Sequence, residues 1–183
     1  MGEVETITER ITMYDIIETF KVGDKVVEIV RDPDPQSPRK DCSFLSGIAH
    51  WHRKYDLGEK IERMTEAEMR EHESDIIAIL PLYLFDHSGI AINTTGFSCR
   101  WDSGQVGWAF VTRDSAEQLG CADWSEEKLL AAIVDEVETY NRFITGEVFG
   151  YRILDATGEE ISACWGYFGT IPEVCEEARR AVR

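Results

Sequence analysis

The sequence predicts an α+β fold, a mostly antiparallel sheet built from hairpins, with one long helix and a few short helices packed on one face. Three observations predict it. Two pairs of strand-like runs are each joined by a turn signal, residues 125–145 carry apolar residues at helical spacing, and a chain of 183 residues suits a single domain, 1–183, around one core.

Residues 11–20 and 24–30 alternate apolar and polar around Gly23-Asp24, the pattern of a β-hairpin. Residues 32–38 hold three prolines, which fix φ and remove amide donors, so they form an irregular loop and the best linker candidate. Gly47 to Arg53 reads as a strand whose period of two sets Ile48, His50 and His52 on one face. Thr65 and Glu68 have the spacing of a capping box that opens a short helix toward His72. The apolar run Asp75 to Phe85 predicts a strand that bulges or ends a ladder at Pro81.

Val106 to Thr112 returns to strand. From Ser125 to Thr145, Leu129, Ile133, Val137, Tyr140 and Ile144 form one helical stripe, with Asp123 or Ser125 as the N-cap and Gly146 just past the end. Residues 148–154 and 160–165 make a second hairpin around Asp155-Ala156-Thr157-Gly158. A last helix begins near Pro172, capped by Thr170 and Glu173.

Charge narrows the function. The 35 acids against 19 bases give a formal net charge of −16, which repels a phosphate backbone and argues against direct nucleic-acid binding. Basic partners are favoured. With 43% hydrophobic residues the chain has the apolar area that an acidic disordered protein lacks, so the charge decorates a folded body. A polar start, and no run of about 18 apolar residues, predict a cytoplasmic protein without a membrane segment. The five cysteines, Cys42, Cys99, Cys121, Cys164 and Cys175, form no CxxC pair and read as reduced, mostly buried thiols, with no cofactor or metal implied.

Several residues suggest chemistry, each with a plainer alternative. Asp86-His87-Ser88-Gly89 holds an acid, a base and a hydroxyl, yet it lacks the Gly-x-Ser-x-Gly elbow and suits a turn. Cys99 with His87, His50 or His52 offers a thiolate–imidazole pair, although cysteine more often packs as a small hydrophobe. His50 and His52 offer two imidazoles to a metal, but nothing fixes a third ligand. A small hydrolase or metal-dependent enzyme centred on His87 and Cys99 is therefore the alternative to a binding protein.

For a binding surface, Trp101 and Asp102 begin a small polar turn, and Trp101 and Trp108 are candidate aromatic anchors, since Trp is enriched at interface hot spots; a buried Trp followed by a turn is equally natural. Glu126, Glu127, Asp135, Glu136 and Glu138 lie on the long helix. They are either its solvated face or, with Glu173, Glu176 and Glu177, a row of carboxylates imitating a nucleic-acid backbone.

Residues 80–89 (LPLYLFDHSG) and 97–107 (FSCRWDSGQVG) resemble a family of phage and mobile-element accessory proteins. The likeness continues through residues 32–39, 137–140 and 164–167 and spans most of the chain. The resemblance implies an anti-CRISPR inhibitor whose partner is a CRISPR effector nuclease with its guide RNA, and it transfers no catalytic residues; a phage adaptor protein is a further alternative that the sequence does not separate from it. Such nucleases keep a positively charged channel for heteroduplex and DNA, into which an acidic rigid body is steered.

Overall fold

The computed structural model describes residues 14–41 and 43–182, without the side chain of Asp41. The fold is α+β, with two mostly antiparallel sheets. The described residues divide into two compact units, one inserted in the other along the chain: those within 36–145 are termed the inner unit, and residues 14–35 with 146–182 the outer one. The boundary on the N-terminal side falls inside the proline-rich loop.

The outer unit contains β1 (Ile16–Val22), β2 (Lys25–Arg31), β8 (Phe149–Leu154), β9 (Glu160–Tyr167) and α5 (Ile171–Ala181). Its strands run in the order β1-β2-β8-β9, all antiparallel, so that both predicted hairpins join side by side. Residues 11–13 of the first hairpin lie outside the described residues. Gly23 takes φ +64° in the β1–β2 turn, a conformation costly for a side-chain-bearing residue. The inward residues Val27, Ile29, Phe149, Tyr151 and Ile153 pack with Val174, Cys175 and Ala178 of α5. Thr170 and Glu173 close the capping box that starts α5, as their spacing requires.

The inner unit comprises α1 (Pro38–Asp41), β3 (Gly47–His50), β4 (Glu59–Lys60), α2 (Glu66–His72), β5 (Ile76–Asp86), β6 (Ile90–Asn93), β7 (Ser103–Thr112), α3 (Arg113–Gln118) and α4 (Glu126–Thr145). Its sheet order is β4-β3-β7-β5-β6, with only β3 and β4 parallel. The expected covering of one face is corrected here, because both faces are covered. On one, Leu129, Ile133, Val137 and Tyr140 of α4 meet Ala78, Leu82, Leu84, Ala109 and Val111. On the other, Met69 of α2 meets Ala49, Ile79, Trp108 and Phe110, joined by Trp51, Ile61 and Met64.

Thr65 accepts from the Glu68 amide while the Glu68 carboxylate receives the Thr65 amide at 2.7 Å, closing the α2 capping box. Ser125 caps α4 by accepting from Lys128 N–H, and Gly146 follows at φ +74°. Pro38 departs from expectation by starting a single helical turn, where a missing amide costs nothing. β5 runs through Pro81, which sits opposite Trp108, and the register shift falls just beyond, between Leu82 and Tyr83. β6 pairs only with residues 83–86, so at Pro81 the strand has one open side that needs no ladder donor. The sequence pattern predicts no strand at β4 or β6 and no helix at α3. No helix among the described residues is long and apolar enough to cross a membrane.

β3 ends at His50, so His50 and His52 do not share a strand face. His50 is a core residue, 1% exposed, whose Nε2 accepts the Leu57 amide at 3.2 Å. Burial pushes its pKa below the ordinary histidine value, against the opposing pull of Asp56. The folded state thus favours neutral His50: its contribution to stability is full above about pH 6.5 and declines as pH falls below that value, by at most ~1.4 kcal/mol per pH unit. Urea unfolding at pH 7.5 and 5.5 should show wild type losing more stability than His50→Gln over that interval. Equal losses in the two proteins would exclude the histidine as the source.

Candidate functional site

The residues singled out in 86–105 gather at one end of the inner unit, where β5 ends and β7 begins. Ser88, at φ +58°, and Gly89 form the turn between β5 and β6, and the His87 amide donates to the Gly89 carbonyl at 3.0 Å. That settles Asp86-His87-Ser88-Gly89 as a turn in local structure. Beyond it, the loop 97–102 is pinned from several sides. Ser103 Oγ donates to the Cys99 carbonyl, Cys99 Sγ donates to Asp102 Oδ2 at 3.4 Å, and the Asp86 amide donates to the Asp102 carbonyl at 2.8 Å. His87 Nδ1 lies 3.5 Å from the same Asp102 oxygen.

The fold therefore brings His87, Cys99 and Asp102 together, but with the carboxylate between thiol and imidazole. A nucleophilic cysteine needs a base to take its proton and a third group to orient that base. Here the thiol is bonded to Asp102, and the arrangement serves to hold the loop. Among the described residues no group of His, Cys, Asp or Glu is arranged to hold a metal ion. The thiols are less buried than expected: Cys175 alone of the described four is buried, and Cys42 lies outside the described residues.

At the tip of this pinned loop Trp101 is 96% exposed. Trp108, the other proposed anchor, is 8% exposed within the core, and its Nε1–H donates to the Met64 carbonyl at 3.2 Å. This corrects the expectation for Trp108: α2 and the segment before it cover it, leaving Trp101 as the exposed one of the two candidate anchors.

The acidic candidates separate in the same way. Glu126, Glu127, Asp135 and Glu138 are exposed on α4, with Glu138 paired to Arg142 at 2.7 Å. Glu136 instead faces inward, receiving the amides of Leu45 and Ser46 at 2.6 and 2.8 Å and the Ser46 hydroxyl at 2.6 Å. In the outer unit Glu173 closes a cap, while Glu176 and Glu177 pair with Arg180. At 1.5 Å per residue, Glu126 to Glu138 span about 18 Å, where duplex DNA carries on the order of ten charges and one of its strands about five. Four carboxylates match one strand better than a duplex.

No protein-family model, curated protein or solved structure matches the chain.

Proposed function

We propose that this protein is a mobile-element-encoded inhibitor, an anti-CRISPR protein that binds a CRISPR effector nuclease with its guide RNA in the host bacterial cytoplasm and blocks DNA engagement or cleavage. The observation that carries a binding role is Trp101, an almost fully exposed indole on a loop held by bonds from β5, β7 and the loop itself. A large aromatic surface costs little entropy to immobilise when its loop is already fixed, which is the property of an interface anchor. The exposed carboxylates of α4 supply the attraction to a basic channel, and Trp101 with Asp102 supplies partner choice.

The test is titration of the pure protein into a guided nuclease cleavage assay with binding followed in parallel. Inhibition should saturate near one equivalent and weaken as salt rises, because exposed charges are screened. Trp101→Ala should weaken binding by about 30-fold, the equivalent of a 2 kcal/mol hot spot. Its fold should remain intact, since the side chain touches almost nothing. Unchanged inhibition by Trp101→Ala would remove the loop from the interface, and absence of binding to the nucleases would remove this function.

A further inference from the structure

Beside the Trp101 loop lies a cleft of about 560 Å3, lined by Tyr83, Thr95, Gly96, Phe97, Ser98, Arg100, Ser103 and Gly104. We propose that it is a binding site for a small oxyanion attached to a flat ring, a phosphate monoester or carboxylate on an aromatic body. This goes beyond the inhibitor reading and does not depend on it.

Electrostatics is the first argument. The chain has 35 acids in 183 residues, yet none lines the cleft, and Arg100 does. Asp102, the carboxylate nearest in sequence, is engaged by Cys99 and His87. Among the described residues Arg100 has no ion-pair partner, and the side-chain hydroxyls of Tyr83, Thr95 and Ser98 make no hydrogen bond. An arginine and three hydroxyl-bearing residues lining one cleft supply the donor types that an oxyanion requires.

The shape is the second argument. The wall at 93–96 is fixed by Asn93, whose Oδ1 accepts the amides of Thr95 and Gly96 at 3.2 and 2.7 Å and whose Nδ2 donates to the Gly96 carbonyl at 3.0 Å. Gly96 adopts φ +86° there, which favours glycine. The pinned 97–102 loop contributes Phe97, Ser98 and Arg100 to the lining. Phe97 leans on Phe85, with ring centroids 5.6 Å apart, and Tyr83 gives the cleft a second ring. Binding sites of this volume commonly take ligands of drug or nucleotide size, and aromatic walls favour flat rings. A polymer of phosphates would meet the repulsion of the whole chain, whereas a single oxyanion meets mainly Arg100.

Isothermal titration calorimetry of the full chain at about 0.15 M salt, with adenosine monophosphate, adenosine, inorganic phosphate and benzoate as probes, tests the site. Saturable binding is expected for adenosine monophosphate in the range near 1 mM or tighter, with adenosine and phosphate each weaker. Arg100→Gln should weaken it at least about tenfold, the loss of one hydrogen bond to a charged group, and Ser98→Ala by less. Binding of benzoate in preference to the monophosphate keeps the ligand class and assigns the carboxylate as its source. No saturable binding of either ring-borne oxyanion, an affinity unchanged in Arg100→Gln, or free phosphate binding as tightly as the nucleotide would overturn the proposal. Because the readout is direct binding, its failure is separable from failure in the nuclease assay.

Discussion

Replacing Glu136 by alanine should destabilise the protein by about 3 kcal/mol, as expected when several part-buried donors lose one charged acceptor. The carboxylate accepts three hydrogen bonds, two of them from consecutive backbone amides at Leu45 and Ser46. On the other side of the same residue, Arg39 Nη2 donates to the Ser46 carbonyl at 2.6 Å, while its guanidinium lies over the rings of Phe44 and Tyr140. Burial lowers the Arg39 pKa, and Glu136 is the main charge opposing that shift. Removal of the carboxylate therefore leaves two amides without an acceptor and a partly buried cation without its compensating charge. Glu136→Gln keeps the size and one acceptor and should lose about half as much, given that neutral hydrogen bonds are roughly half as strong as charge-assisted ones. Urea unfolding of the three proteins measures both. A loss below about 1 kcal/mol in Glu136→Ala would mean that the loop before β3 is held by packing alone.

Glu136 also shows what the sequence leaves legible. On a helical wheel it flanks the buried stripe, three residues after Ile133 and four before Tyr140, which distinguishes it from Glu127 or Asp135 on the far face. That signal says only that the side chain lies at the edge of the core. Its acceptor role depends on Ser46, ninety positions away, which no local pattern reports. The capping boxes at Thr65 and Thr170 were legible because all their atoms lie within four residues. The two hairpins were legible for the same reason.

The nested order of the chain was not, because β2 finds β8 only after the whole inner unit has been inserted between them. A loop that looks too early to separate consecutive domains is well placed to launch an insertion. The two tryptophans make the same point for the site. Trp101 stands in a polar stretch and Trp108 in an apolar strand run, a difference the sequence shows, but which elements cover Trp108, Met64 and α2, is set by residues more than thirty positions away. The segment 86–105 stands out by composition, but that Arg100 has no ion-pair partner among the described residues while Asp102 is engaged is visible only with the loop closed in space.

Gly107→Ala should cost about 3 kcal/mol, the upper end of the usual range for forcing extra atoms into a packed interior. Gly107 lies at the middle of β7, opposite His50 on one side and Leu82 on the other. Its φ is not in the left-handed region, so the requirement for glycine is one of space. A Cβ built there would overlap the Ala49 carbonyl oxygen and approach His50 Cα and Cβ at 3.0 and 3.1 Å. These atoms belong to the backbone and root of β3, which cannot rotate away as a side-chain tip can. Accommodation requires β3 to shift, straining its four-residue pairing with β7 and the His50–Leu57 hydrogen bond. Gly104, on the same strand, is the matched control, since a Cβ there meets nothing within 4 Å. Gly104→Ala should be neutral or stabilise by up to about 1 kcal/mol through reduced freedom of the unfolded chain. Denaturant midpoints of the two variants against wild type give the comparison. Similar midpoints would mean that β3 yields freely, and a β3 that yields freely could not hold His50 in the buried, neutral state on which its pH dependence rests.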